Sequence, residues 1–233
     1  MRVPGRRAAA EFTGTAFLVM AVVGSGVMAS RLSPDDAGLQ LLQNSLATGA
    51  ALVALIVALQ PVSASFNPVV TLVERALGMI DTTTAGALIA AQVLGGLAGT
   101  VAANLMFGLD AVTFSTHQRS GPALWLAEVI ATVGLLVVIF GTVRSGRADR
   151  VAFAVGGYIT AAYWFTSSTS FANPAVTIAR TVTDTFAGIA PPSAPAFILA
   201  QLLGGAAGYL LVRFLYPTLA TPAVVPSDRK VLS

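Results

Sequence analysis

The chain has 233 residues, of which 55% are hydrophobic and 10% are charged, and its formal net charge at pH 7 is +3. Soluble domains carry about 25% charged residues, so this composition excludes an ordinary soluble protein and is typical of one that crosses a membrane several times. The scattered basic residues form no stripe that would bind nucleic acid, and the absence of cysteine excludes disulfides, thiolate metal sites and cysteine nucleophiles.

Six apolar stretches are predicted to span a membrane, because a bilayer core of about 30 Å requires about 20 residues of helix. The first follows a basic N-terminus, is too long for the apolar region of a signal peptide and lacks a clear cleavage site, so we interpret it as a retained helix. The fifth is short, and the uncharged residues after it either extend it or line a cavity. The predicted spans are residues 8–29, 39–59, 85–107, 123–142, 151–166 and 194–215.

Basic residues in the connections predict the orientation of these spans. An even number of spans places both termini on one side, and that side carries most of the arginine and lysine. By the positive-inside rule, both termini and a tail at 217–233 are expected to be cytoplasmic, with the protein in the cell (plasma or inner) membrane. The cytoplasmic set is Arg2, Arg6, Arg7, Arg144, Arg147, Arg150, Arg229 and Lys230, and the other side holds Arg31, Arg119 and Arg180.

Two further apolar segments, Pro68 to Leu77 and Pro174 to Val182, are too short to span a membrane. Each lies in a connection between full-length spans, and the two connections are on opposite sides of the membrane. Non-helical backbone survives at membrane depth only when it is buried in protein or lines a watery cavity. We therefore predict two re-entrant half-helices.

The two halves of the chain carry the same motifs in the same order. Ala-Glu opens the first and fourth spans, Ser-Phe precedes each Asn-Pro with one additional residue in the second half, and Ala-Gln-x-x-Gly-Gly lies in the third and sixth spans. Because each unit has three spans, the second unit must enter the membrane inverted. The predicted organisation is one all-α membrane domain at 1–233, with repeats at about 8–107 and 123–216.

The paired motifs Asn67-Pro68 and Asn173-Pro174 are well-formed helix starts. Asparagine is a strong N-cap because its side-chain oxygen accepts a hydrogen bond from the first turn, and proline fits the first helical position. The NH₂ group of the same amide then remains free to donate toward a lumen. Two helix N-termini that meet at the midplane oppose cations and tolerate neutral solutes. One such motif alone is usually only a cap, but two at matching repeat positions predict a paired site.

With these motifs the chain resembles the major intrinsic proteins, the aquaporins and glycerol facilitators, over about residues 8–216. The Ala-Glu-Phe-x-Gly-Thr sequence from Ala10 to Thr15 belongs to the same resemblance. It implies an aquaporin-like bundle of six transmembrane helices and two half-helices, a homotetramer in the lipid bilayer with one pore per subunit, and passive passage of small neutral solutes. The implied pore constriction consists of Asn67, Pro68, Val69, Asn173, Pro174 and Ala175.

Glu11 and Glu128 are the only carboxylates within the predicted spans, and intramembrane charges are functional candidates by default. The resemblance implies that they hold the half-helix loops through backbone N–H groups. Proton coupling is the alternative role for this pair. Gln92 and Gln201, at matching positions of the repeat, are expected to support the same loops by bonding to backbone within the bundle.

The selectivity filter departs from the family pattern. Most aquaporins place an arginine directly after the second Asn-Pro-Ala, where this chain has Val176. By offset from the motifs, the other filter positions are Thr48, Ala161 and Ser170, and Tyr158 competes with Ala161 for the position in the fifth span. These small residues predict a wide filter that passes glycerol-like polyols, or metalloid hydroxides such as arsenous acid, in addition to or instead of water. The filter also resembles that of a bacterial subgroup associated with arsenic resistance.

Arg180 lies four residues after Val176, one helical turn further along the second half-helix. We expect it to be solvated or to cap a helix, and the alternative is that it reaches back into the vestibule. The only histidine, His117, lies in a polar loop, where it is expected to be solvated; a pH gate is the alternative. A single histidine forms no metal site.

The rival to a channel is an ion- or proton-coupled secondary transporter, which also uses inverted repeats and broken helices. It would require additional charged or coordinating groups at the midplane, which the sequence lacks. A scaffold protein that transports nothing is a third possibility. No Walker loop, dinucleotide-binding fingerprint or Ser-His-Asp set occurs in a usable context, so neither an enzyme nor a cofactor is predicted.

Overall fold

The computed structural model of the chain describes residues 3–217 and, within them, eight α-helices. Arg2, Arg229, Lys230 and all but the first residue of the predicted tail lie outside the described residues. The helices are α1 (Val3–Leu32), α2 (Ala37–Leu59), α3 (Pro68–Ala76), α4 (Thr82–Met106), α5 (Pro122–Arg144), α6 (Val151–Phe165), α7 (Pro174–Ala179) and α8 (Ala194–Leu215).

Five of the described helices, α1, α2, α4, α5 and α8, are long and apolar enough to cross a membrane. The sixth predicted span is α6, which has 15 residues and a length of about 22 Å. It ends because Thr166 is extended and its hydroxyl donates to the carbonyl oxygen of Ala162. The uncharged residues after it therefore do not extend the helix. They lead the chain back into the bundle, where Ser170 lines a cavity.

The six long helices alternate in direction, so the bundle has two faces. We call the face that holds the start of α1 and the end of α8 the terminal face. Gln60 after α2 donates to the carbonyl oxygen of Ala148 before α6 at this face, with 3.0 Å between nitrogen and oxygen. At the opposite face, Arg31 at the end of α1 donates to the carbonyl oxygen of Phe107 after α4.

Close helix contact depends on glycines of the repeated motif. A Cβ atom at Gly95 of α4 would lie 2.3 Å from the carbonyl oxygen of Phe12 in α1, and one at Gly204 of α8 would lie 2.7 Å from that of Val129 in α5. Only glycine permits these backbones to approach so closely, in agreement with the small-residue rule for membrane helices. The pairs α1 with α4 and α5 with α8 form the two halves of the bundle.

The half-helices α3 and α7 cross between these halves. Val69 of α3 packs against Gly205 of α8, and Ala175 and Ala179 of α7 pack against Gly96 of α4. Each half-helix thus rests on the third long helix of the other repeat. This exchange brings the two half-helix N-termini together inside the bundle, as the inverted repeat predicts.

Candidate functional site

A cavity of about 270 Å³ runs through the bundle, from the terminal face past both Asn-Pro motifs toward the opposite face. At the terminal face it is lined by Arg7, Gln60 and Glu74. Its middle is lined mainly by apolar side chains, among them Val155 and Ile159 of α6. The residues at the two motifs and beyond them are Thr48, Asn67, Tyr163, Ser170, Phe171, Asn173, Val176 and Arg180.

The side-chain oxygens of Asn67 and Asn173 cap α3 and α7, as their position before proline predicts. Asn67 accepts from the N–H of Val69 at 2.9 Å, and Asn173 accepts from the N–H of Ala175 at 3.0 Å. Pro68 and Pro174 occupy the first helical positions and are buried. Within the predicted constriction, therefore, the two asparagines line the cavity, while the prolines, Val69 and Ala175 form and pack the half-helices.

The amide NH₂ groups are not entirely free, contrary to the expectation from sequence. Asn67 donates to the carbonyl oxygen of Ala172 at 2.7 Å, and Asn173 donates to that of Phe66 at 2.7 Å. Each asparagine thus holds the loop that precedes the other one. An amide nitrogen carries two hydrogens, so one N–H per asparagine remains for a molecule in the cavity. The sequence could not reveal this exchange because it joins residues more than 100 positions apart.

Glu11 and Glu128 organise the loops before the two half-helices. Glu11 accepts from the N–H groups of Ser65 at 2.9 Å and Phe66 at 2.7 Å, and from the hydroxyl of Ser63 at 2.5 Å. Its side chain is fully buried. A buried carboxylate is tolerated only when its oxygens are satisfied, and these donors satisfy them.

Glu128 repeats this arrangement in the second half. It accepts from the N–H groups of Phe171 at 2.9 Å and Ala172 at 2.8 Å, and from the hydroxyl of Ser168 at 2.6 Å. Gln92 and Gln201 donate to Glu11 and Glu128 at 2.8 and 2.6 Å. These glutamines also donate to threonine hydroxyls of the half-helices, so their partners are side chains and not the backbone that we expected.

The structure changes the alignment of the two loops. Sequence identity pairs Ser65-Phe66 with Ser170-Phe171, but the hydrogen bonds to the glutamates pair Phe66 with Ala172, each directly before its asparagine. Both residues adopt positive φ angles, 48° for Phe66 and 47° for Ala172. This left-handed conformation is costly without glycine and persists because the surrounding bonds hold it. It turns the carbonyl oxygens of both residues toward the opposite asparagine.

Three of the four predicted filter residues line the cavity, namely Thr48, Ser170 and Val176. Ala161 does not, because it is exposed on the outer side of α6. Tyr158, the competing candidate, instead donates to the carbonyl oxygen of Ala131 in α5.

The residue that α6 contributes beside Thr48 is Tyr163. Its hydroxyl lies 3.2 Å from that of Thr48, and the side chain is buried. Val155, Ile159 and Tyr163 follow one another at intervals of four residues, so one helix face lines the cavity. Helix α6 is apolar on most sides, so hydropathy did not identify this face. Counting in steps of four from Val151, which also lines the cavity, would have identified it.

Arg180 is not solvated, so that part of the expectation was wrong, whereas its backbone N–H does cap the end of α7. The residue is 3% exposed and lines the cavity together with Val176. Its Nε donates to the carbonyl oxygen of Ala187, and the guanidinium carbon lies 3.5 Å from the centre of the Phe171 ring. Arg119 lies near the same ring at 5.3 Å. Sequence reasoning did not identify Phe171 and Tyr163 as neighbours of Arg180. The spacing from Val176 did indicate the turn on which Arg180 lies.

The loops at the opposite face are joined by Asp184. It accepts from the N–H of Thr116 at 2.8 Å, and the His117 ring lies 3.9 Å away. The hydrogen bond from the Thr116 backbone holds the pKa of Asp184 below its usual value. Among the described residues, no group of three or more acidic, histidine or cysteine side chains is placed to hold a metal ion.

Comparison with known proteins extends these observations. A family model described as "Major intrinsic protein" matches residues 4–150 and 144–229. The aquaglyceroporin AqpS of Rhizobium meliloti (strain 1021) is 50% identical over 211 residues, which are 90% of this chain and 90% of that protein. Aquaporin A of Dictyostelium discoideum is 34% identical over 161 residues, 63% of this chain and 56% of that protein.

A solved structure shares the fold. The crystal structure of the aquaglyceroporin from Plasmodium falciparum superposes with a TM-score of 0.72 and covers 92% of this chain and 98% of its own. The sequence identity is 18%, so this likeness concerns the arrangement of the helices alone.

Proposed function

Because the chain belongs to the major intrinsic protein family, we propose that the cavity is the pore of a passive membrane channel for water, glycerol-like polyols and metalloid hydroxides such as arsenous acid. A passive channel for water and glycerol is the activity that the family and the fold favour. The observation that carries the proposal is the cavity lined by both asparagines and by the small residues Thr48, Ser170 and Val176.

The two asparagines select neutral hydroxylated solutes at the centre of this pore. Each retains one N–H that can donate to a water or hydroxyl oxygen, and the N-termini of α3 and α7 add partial positive charge at the same point. A water that accepts both N–H groups is oriented with its hydrogens outward. That orientation interrupts a chain of water molecules along which protons would pass, while neutral solutes cross downhill.

The filter is proposed to be wider than a strict water filter. Val176 stands directly after Asn173-Pro174-Ala175, where an arginine would reach across the pore. With Tyr163 at the α6 position, this region is narrower than it would be with the small residue that we expected there. The Tyr163 hydroxyl also adds a polar group beside Thr48. An opening with two hydroxyl groups on one wall and valine on another suits a solute that has both hydroxyl groups and an apolar side.

The two intramembrane carboxylates that the sequence singled out do not fit the rival transporter mechanism. Glu11 and Glu128 each accept four hydrogen bonds from loops and glutamines, and both are fully buried. Proton coupling would require one of them to lose or exchange these partners in each cycle. We propose instead that both are loop supports, together with Gln92 and Gln201, and that no chemical reaction is catalysed.

The protein is a membrane protein with several apolar helices, and we propose its assembly and orientation in addition. Large apolar side chains are exposed along the outer helix faces, among them Leu94 of α4 and Leu203 of α8. They are suited to contact lipid or other copies in the homotetramer that the family resemblance implies. The terminal face, with Arg6 and Arg7, is proposed to be cytoplasmic.

The experiment is solute-resolved stopped-flow measurement on proteoliposomes that contain the purified protein. Water, glycerol and arsenous acid fluxes are each expected to exceed those of empty vesicles and to rise linearly with concentration. If glycerol and arsenous acid fluxes equalled those of empty vesicles while water flux rose, the wide filter would be refuted. Concentrative uptake driven by a proton gradient would favour the coupled transporter, and no flux of any solute would favour a scaffold.

A further inference from the structure

Arg180 occupies the mouth of the pore at the opposite face, one turn of helix outward from Val176. Val176 and Arg180 both line the cavity, and the backbone N–H of Arg180 still bonds to the carbonyl oxygen of Val176. A guanidinium therefore stands close to the filter even though the residue after Asn-Pro-Ala is not arginine.

One side of the Arg180 guanidinium is bound by the protein, and the other side has no hydrogen-bond partner. Its Nε donates to the carbonyl oxygen of Ala187, and its plane lies against Phe171, which in turn packs edge to face on Phe197 with 5.2 Å between ring centres. Within residues 3–217, neither Nη atom of Arg180 has a hydrogen-bond partner. Neither Nη atom is fully enclosed by protein, so the free edge of the guanidinium adjoins the cavity.

The charge of Arg180 has no carboxylate partner in the described part of the chain. The one ion pair found there joins His117 to Asp184. Glu128, the carboxylate that acts electrostatically on Arg180, is committed to four hydrogen bonds from the loop and Gln201. A positive charge without an ion-pair partner in a confined pore mouth repels cations more strongly than the same charge in bulk water.

We propose that two residues divide the work of the filter, with Val176 setting its width and Arg180 supplying the charge that excludes cations. This inference rests on the proposed channel function. An arginine directly after Asn-Pro-Ala would combine both properties, since its side chain fills space and carries charge. Moving the charge outward by one turn leaves room for larger neutral solutes while cations still meet a barrier.

Arg119 provides a matched control. It lies near the same Phe171 ring and carries the same charge, but it does not line the cavity, and its Nε donates to the carbonyl oxygen of Gly188 at 2.9 Å. If overall positive charge at this face excluded cations, Arg119→Gln and Arg180→Gln would have similar effects. If the position in the pore matters, only Arg180→Gln will raise the potassium flux.

The test compares potassium and glycerol fluxes in proteoliposomes of wild type, Arg180→Gln, Arg180→Met, Arg180→Lys and Arg119→Gln. Removing one charge beside the path is expected to raise potassium flux on the order of ten- to a hundredfold. We expect this rise for the glutamine and methionine variants, with glycerol flux still above that of empty vesicles. The potassium flux of Arg180→Lys and Arg119→Gln is expected to stay at the wild-type level.

The inference is overturned if Arg180→Gln or Arg180→Met conducts glycerol without added potassium flux, or if Arg119→Gln admits as much potassium as they do. It is also overturned if both neutral variants fail to conduct glycerol while Arg180→Lys conducts, because Arg180 would then maintain the mouth's structure. A wild-type protein that conducts no neutral solute would instead refute the channel function, so the two failures are distinguishable.

Discussion

Replacing Glu128 by glutamine tests whether the buried glutamates hold the asparagines in place. The carboxylate accepts hydrogen bonds from Ser168, Phe171, Ala172 and Gln201, at 2.6 to 2.9 Å. A glutamine keeps one acceptor oxygen and presents an NH₂ group to donors. At least two of the four donors therefore lose their acceptor inside the bundle.

The expected destabilisation follows from that count. A buried donor left without a partner costs about 1–3 kcal/mol, so two such donors cost about 2–6 kcal/mol. For a protein of this size the melting temperature should fall by at least about 4 °C. Because Ala172 directly precedes Asn173 and binds Asn67, the loop should also shift, and glycerol flux should fall with it.

The matched control is Thr132→Val, one helical turn further along α5. The Thr132 hydroxyl is buried and has no hydrogen-bond partner, so valine of similar shape should leave stability unchanged or slightly higher. Melting is followed by intrinsic fluorescence in detergent at one scan rate, and flux is followed in proteoliposomes. A Glu128→Gln variant that melts within 1 °C or so of wild type and conducts glycerol normally would refute the reasoning, as would an equal loss in Thr132→Val.

Three further predictions concern width, packing and pH. Val176→Arg should suppress arsenous acid and glycerol flux before water flux, measured by stopped-flow, and equal loss of all three would contradict a role in width. Gly95→Ala should cost about 1–3 kcal/mol, since its Cβ would meet a carbonyl of α1, whereas Gly86→Ala, with open space around it, should be neutral or stabilising by up to about 1 kcal/mol in thermal unfolding. The lowered pKa of Asp184 means that its bond to Thr116 stabilises the loops above the unfolded pKa of about 3.9 and is lost as pH falls through the folded value. The contribution of Asp184 to the melting temperature should therefore be level from pH 5 to 8 and be lost below about pH 4, so Asp184→Asn should show a smaller fall in acid than wild type; an equal fall in that variant would assign the acid effect to other groups.

Much of the fold was predictable because it depends on local chemistry. Long apolar stretches must become helices in a bilayer, where each backbone group needs a partner, and Asn-Pro before a short apolar run starts a helix wherever it occurs. The predicted family and fold are confirmed. The exact ends were less predictable: α1 begins at Val3 and ends at Leu32, outside the apolar stretch, because the flanking arginine and leucine residues also favour helix.

The filter was less predictable because its residues come from separate parts of the chain. Offsets from the motifs located Thr48, Ser170 and Val176 at the cavity, since these positions are close to fixed points in the repeat. They failed for α6, where no motif marks the start and a shift of two residues turns the side chain to the outer surface. Tyr163 therefore lines the cavity where Ala161 was expected.

By itself, the sequence determined a membrane bundle with an inverted repeat and two half-helices that begin at Asn67 and Asn173, because these features follow from hydropathy, helix capping and internal repetition. Only the tertiary structure decided what the polar groups at the centre contact. The two asparagine loops exchange hydrogen bonds, and the Arg180 guanidinium packs on the Phe171 ring. Both arrangements depend on which segments meet in space. Such contacts join distant positions, and no local propensity along the chain encodes them.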